Sequence, residues 1–217
     1  MSMMRLSGLT VLGVLIGALV VGVYSDPGVA GESTGSIVLE DFQSKDGEGF
    51  PTGWKAQRNT CKAKQTYTVQ TESDGAFLAA KGAEQRVYKK MAWDPKAMPT
   101  VTWRWRLRAV PDDANLLAAV YISLDTDLIF LPVSTKYVWS ASRAKGTITE
   151  GGLFGATEIV LRTGTQPVGD WVEERVNAYE DFKRIHQHEP ANEAWGISLL
   201  GGAGVEVDFG PLKVSAP

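Results

Sequence analysis

The chain has 217 residues, 44% of them hydrophobic and 22% charged. That is the balance of a soluble globular domain, and it excludes a disordered acidic tail, a collagen-like fibre and a polytopic membrane protein. The net charge of −3 leaves no electrostatic footprint for nucleic acid. The single cysteine, Cys61, excludes an internal disulfide and a cysteine-rich zinc site.

The N-terminus predicts export. Residues 1–5 are short and basic, and residues 6–24 are apolar apart from Ser7 and Thr10. As a helix rising about 1.5 Å per residue, that stretch nearly crosses a hydrocarbon core of roughly 30 Å. Residues 1–25 therefore read either as a cleaved signal peptide or as a retained N-terminal transmembrane anchor. Gly28-Val29-Ala30 supplies a small-x-small cleavage site. Gly13 and Gly17 form a GxxxG pair that lets two membrane helices approach closely. Either way Arg5 stays in the cytoplasm and the remainder is placed on the periplasmic side of the bacterial cytoplasmic membrane. No cysteine directly follows the apolar stretch, so a lipid anchor is not expected. Residues 26–36, rich in Gly, Pro and Ser, read as a linker.

Residues 37–217 read as one all-β domain. Short runs of strand residues fall at 37–42, 66–70, 77–80, 86–93, 101–109, 117–124, 128–133, 137–140, 157–163, 171–176, 194–200 and 205–214, separated by Gly, Pro, Asn and Asp. This spacing predicts an antiparallel β-sandwich or barrel, following the single N-terminal apolar helix. One short helix is expected at 178–186, where Tyr179, Phe182 and Ile185 share a face and Pro190 follows. Within 101–109, Val101, Trp103, Trp105 and Leu107 point to the core, while Thr102, Arg104, Arg106 and Arg108 point away. Ala118, Val120, Ile122 and Leu124 pack on that core. In 171–176 the inward set is Val172, Glu174 and Val176, so Glu174 needs a cationic or hydrogen-bonded partner.

Several segments carry a resemblance. They are Phe50-Pro-Thr-Gly-Trp54, Pro99-Thr-Val-Thr-Trp103-Arg-Trp105-Arg-Leu107, Val160-Leu-Arg-Thr-Gly164, Trp171-Val-Glu-Glu-Arg175 and Tyr179-Glu-Asp-Phe182. In this order they resemble a bacterial family of exported proteins, domain-of-unknown-function family 3047. The resemblance implies a secreted, jelly-roll-like sandwich and no established activity. Members often carry an acidic cluster near the C-terminal strands, whereas Leu200-Gly-Gly-Ala-Gly-Val205 has none here.

Chemistry-bearing patterns are sparse. His186, His188 and Glu189 offer a weak metal set without a distant third ligand, and two histidines at a helix end also suit the helix dipole. Asp125 and Asp127 fit a turn better than a Ca²⁺ site. Glu206 and Asp208 read as the solvent face opposite Val205, Val207 and Phe209. There is no G-x-S-x-G elbow or phosphate-binding glycine loop, and Cys61 reads as an incidental thiol in a charged loop. An enzyme is therefore not expected, and no cofactor is implied.

Two binding features remain. The Arg104, Arg106, Arg108 row needs counter-charge, supplied by an anionic ligand or by cross-strand carboxylates such as Glu173 or Glu158. Trp54, Trp93, Trp139, Trp171 and Trp195 lie near strand ends, and an exposed pair would stack sugar rings. The first expectation is a non-catalytic, membrane-anchored accessory subunit that meets a membrane protein complex through Gly13, Gly17 and the sandwich. The alternatives are a soluble periplasmic carbohydrate-binding module and a glycan-active or metal-dependent enzyme.

Overall fold

Two β-sheets face each other across one aromatic core in the computed structural model, which describes residues 35–217 apart from 84, 128–130 and 153–154. The signal or anchor segment 1–25 with Gly13 and Gly17, linker residues 26–34 and part of the strand expected at 128–133 lie outside the described residues. Among the described residues no helix is long and apolar enough to cross a membrane.

In chain order the elements are β1 (Ser36–Glu40), β2 (Lys55–Ala56), α1 (Thr60–Thr66), β3 (Tyr67–Glu72), β4 (Gly75–Lys81), β5 (Val87–Lys90) and β6 (Thr100–Ala109). There follow β7 (Leu116–Thr126), β8 (Pro132–Ser140), β9 (Ile148–Thr149), β10 (Thr157–Thr163), β11 (Val172–Asn177), α2 (Ala178–His186), β12 (Gly196–Gly201) and β13 (Glu206–Ser215). The first sheet runs β11-β6-β13-β4-β3, with β1 also paired to β13. The second runs β2-β5-β12-β7-β8-β10-β9.

The alternation read in β6 holds. Val101, Trp103, Trp105 and Leu107 are buried in the core, as are Ala118, Val120, Ile122 and Leu124 of β7. Rings from opposite sheets meet between them. Trp105 lies 5.6 Å from Trp139 and Trp103 lies 5.8 Å from Tyr137, while Trp103 and Trp105 meet edge-on at 5.6 Å. Such pairs contribute about 0.5–1.5 kcal/mol each beyond the area they bury. Glu174 has the partners its inward register demanded: it takes an ion pair from Arg162, and the Trp105 indole donates to it at 3.2 Å.

Three expectations need correction. The sandwich is not wholly antiparallel, because β10 pairs with β8 in parallel. A parallel pair requires a long crossover, and residues 141–156 provide it, with β9 folding back antiparallel onto β10. A second helix, α1, occupies the segment read as a charged loop. Asn59 caps it by accepting from the Lys62 amide at 3.0 Å, but only Ala63 is buried, and Cys61 is exposed on its surface. Ser36 belongs to β1 rather than to the linker.

Helix α2 lies where its apolar face predicted. Asn177 caps its start, Glu180 and Asp181 occupy the first turn, and Lys183, Arg184 and His186 the last, matching the helix dipole. It ends at Gln187, whose φ is 61°, before Pro190 is reached. Phe182 enters the core, and the Tyr137 hydroxyl donates to Asp181 at 3.0 Å, fixing the helix to β8.

Candidate functional site

The arginine row on the outer face of the first sheet is already neutralised. Arg106 is only 6% exposed and meets Asp208 at 2.8 Å and Glu72 at 3.0 Å. Arg108 meets the same two carboxylates at 2.6 Å each. Arg104 pairs with Asp74 at 2.7 Å. Its partners are therefore Glu72, Asp74 and Asp208, not Glu173 or Glu158. Hydrogen bonds from Arg106 and Arg108 hold the Glu72 carboxyl below its ordinary range. The Trp171 ring lies 4.3 Å from the Arg104 guanidinium and 4.2 Å from that of Arg106, and Phe77 lies 5.2 Å from the latter.

This stack explains a further correction. Asp208, expected on the solvent face, is 3% exposed because the arginines cover it. A groove of about 480 Å³ continues along this face past Thr102, Arg104, Glu173, Arg175 and Lys213. Its charges are of both signs.

The tryptophans expected as sugar platforms are mostly core. Trp54 is buried against Phe42, and its indole donates to Glu40 at 2.8 Å. Trp139 is wholly buried and donates to the Gly164 carbonyl at 2.7 Å. Trp93 is buried as well. Neither Trp54 nor Trp139 presents a ring face to a ligand, because each satisfies its indole nitrogen inside the fold. Trp195 is different. It is half-buried, immediately before β12, and its ring lies 5.6 Å from that of Tyr88, also half-buried.

Tyr88 belongs to a row that crosses the second sheet. The registers place Lys55 of β2, Tyr88 of β5, Ser198 of β12, Tyr121 of β7, Lys136 of β8 and Glu158 of β10 directly opposite one another in turn. Residues opposite in register share a face. Tyr121 is the centre of the row, with the Arg86 guanidinium 4.8 Å from its ring centroid and the Lys136 ammonium 5.5 Å from it. Lys136 and Arg143 both pair with Glu158. Although burial opposes ionisation, these two cations hold the Glu158 carboxyl below its ordinary range. Lys90 lies 5.4 Å from the Trp195 ring centroid.

Next to this row is a cavity of about 290 Å³, lined by Arg86, Asp127, Ser134, Gly151, Gly155, Thr157 and His186, among others. Gly151 is required here by close approach: a Cβ at that position would stand 2.0 Å from the Gly155 carbonyl oxygen. Sequence reading named Trp195 among five candidate rings and missed the rest of this face. The alternation of Arg86, Tyr88 and Lys90 was the visible signal, while Tyr121 and Trp195 join them only through pairing.

His186 and His188 pack around Phe182 with their rings 6.2 Å apart. Among the described residues no three His, Cys, Asp or Glu side chains are grouped to hold a metal. Asp125 lies within β7 rather than in the turn and accepts from the Thr126 amide at 2.7 Å, while Asp127, just past the strand, accepts from that of Leu131 at 2.8 Å, as a turn residue does.

Residues 131–201 match the model of a family described as protein of unknown function DUF3047, the family that the motifs resemble. The matched region runs from the start of β8 to the end of β12. No curated protein matches the chain. Among solved structures, the chain is similar to the family 30 carbohydrate-binding module of a Clostridium thermocellum cellulosomal cellulase. The identity is 9%, with 83% of this chain and 97% of that one covered and a TM-score of 0.44. A family 12 xyloglucanase from Bacillus licheniformis aligns at 10% identity over 84% of this chain and 100% of that one, with a TM-score of 0.43. The xylan-binding CBM22-1 domain from Paenibacillus barcinonensis aligns at 12% identity over 83% and 92%, with a TM-score of 0.39. Identities this low transfer no ligand or activity to this chain.

Proposed function

We propose that the protein is a non-catalytic, exported β-sandwich that binds a glycan across the outer face of its second sheet. The observation that carries this reading is the Tyr88–Trp195 ring pair, half-buried beside a polar row that crosses the strands. Aromatic rings with an apolar face and a polar rim suit the alternating C–H and O–H surfaces of sugars. Flanking Lys90 and Arg86 offer hydrogen-bonding groups. The export half of the reading rests on the apolar stretch 6–24, and an interaction with a membrane complex through Gly13 and Gly17 gains no support from the described residues. The test is a pull-down of the purified domain on a panel of insoluble and soluble polysaccharides. Binding that disappears in Trp195→Ala and persists in Trp171→Ala supports the reading, whereas no retention on any glycan overturns it.

A further inference from the structure

We infer that the glycan held on this face is acidic, with a sugar carboxylate seated against Arg86. The inference rests on the glycan-binding reading above and adds the ligand's charge to it. The two outer faces of the sandwich differ in how they treat cations. On the first sheet Arg104, Arg106 and Arg108 are matched by Asp74, Glu72 and Asp208. On the second, Lys136 and Arg143 pair with Glu158, no ion pair to Lys55, Arg86 or Lys90 is formed among the described residues, and Asp127 lines the neighbouring cavity.

Arg86 is the decisive residue. It is half-buried, it stacks on Tyr121 and it lines the cavity, yet no carboxylate among the described residues pairs with it. Its counterpart Arg106 also stacks on aromatic rings but has two carboxylates. A guanidinium drawn partly out of water gains most from a carboxylate, which it can grip through two parallel N–H donors. Stacking on Tyr121 fixes the guanidinium before the ligand arrives and lowers the cost of ordering it. The cavity, at about 290 Å³, falls just below the roughly 300–1,000 Å³ range of drug-sized sites, a size suited to one sugar unit. The rest of the chain would extend over Tyr88 and Trp195. The surplus positive charge lies on a protein whose net charge is −3, so it is a local field rather than a general one.

The test measures the affinity of the exported domain for polygalacturonate, alginate and hyaluronate, and for the same polymers after reduction of their carboxyl groups to alcohols. An acidic polymer should bind, and carboxyl reduction should weaken binding by at least about tenfold, the scale of a charge-assisted hydrogen bond. Arg86→Ala should produce the same loss with an unchanged thermal melt. Arg86→Lys, which keeps the charge but loses the fork, should recover part of it. Lys213→Ala, on the opposite face, should bind as the parent does. Equal binding of native and reduced polymers, abolished by Trp195→Ala but untouched by Arg86→Ala, would overturn the acidic-ligand inference and leave the glycan reading standing. No binding to any polymer would overturn both.

Discussion

Asp208 of β13 stands directly opposite Arg106 of β6, and its Oδ2 lies 2.8 Å from Nη2 of Arg106, with both side chains almost wholly buried. Desolvating two charges is costly, and the pair persists because Glu72 and Arg108 complete the network. Removing one member strands its partner. Asp208→Ala is expected to lower stability by about 3 kcal/mol, read from urea denaturation. The double change Asp208→Leu with Arg106→Met should recover most of the loss, since a well-packed apolar pair carries no orphaned charge.

Glu40 is a second buried acid with a full set of donors. The Phe42 amide at 2.7 Å, the Trp54 indole at 2.8 Å and the Lys89 ammonium at 2.7 Å all reach it. Phe42 holds a φ of 57°, in the left-handed region, and its bond to Glu40 helps keep it there. Glu40→Ala is expected to cost about 2–4 kcal/mol through three lost partners. Trp54 fluorescence should shift with the same transition.

Trp139 and Trp195 separate packing from binding. Trp139→Ala opens a cavity in the inter-sheet seam and should cost about 3–5 kcal/mol. Trp195→Ala should cost much less and remove glycan retention. Denaturation and pull-down on the same two variants check the pair of expectations.

His186 makes stability depend on pH. Its burial lowers its pKa, the neighbouring His188 lowers it further, and Asp125 acts in the opposite direction. The folded protein therefore takes up this proton less readily than the unfolded chain, whose histidines titrate near about 6.5. The histidine contribution is complete above that pH and is lost as pH falls below it. His186→Phe should flatten thermal melting temperatures across that range. Glu72, held low by Arg106 and Arg108, and Glu158, held low by Lys136 and Arg143, add a second loss below about 4.3.

Gly196 combines a φ of 144° with no room for a side chain, because a Cβ would stand 2.3 Å from the Lys89 carbonyl oxygen. Gly196→Ala should push β12 away from β5 and destabilise the domain by at least about 1–3 kcal/mol. Since Trp195 precedes it, glycan retention should weaken together with the melt.

Much of the sandwich is legible in the sequence because period-2 burial is a local signal. β6 declares its two faces through alternating tryptophans and arginines, and α2 declares its own through Tyr179, Phe182 and Ile185. α1 escapes because its only buried residue is Ala63, so it has no apolar stripe to read. The parallel β8–β10 pair escapes because strand direction is set by the crossover and not by the strands themselves. Asp208 was misread because alternation separates inward from outward and cannot show that Arg106, Arg108 and Trp171 roof the outward side. The candidate site was harder still. Its residues come from separate strands, and only hydrogen-bond register brings Tyr88, Ser198 and Tyr121 into line.

The pairing of β1 with β13, Ser36 opposite Ser215, has a kinetic consequence. A chain synthesised from its N-terminus holds its first described strand idle until its last strand emerges, and β6 and β4 must also wait for β13 before their sheet can close. Closure of the longest loop in the domain is thus among the final steps, which favours slow folding of the sheet once β13 is present over stepwise folding of its earlier strands. Until that closure the exposed Ile37 and Val38 lie on an unpaired strand edge, the part of the nascent molecule most in need of shielding from other chains.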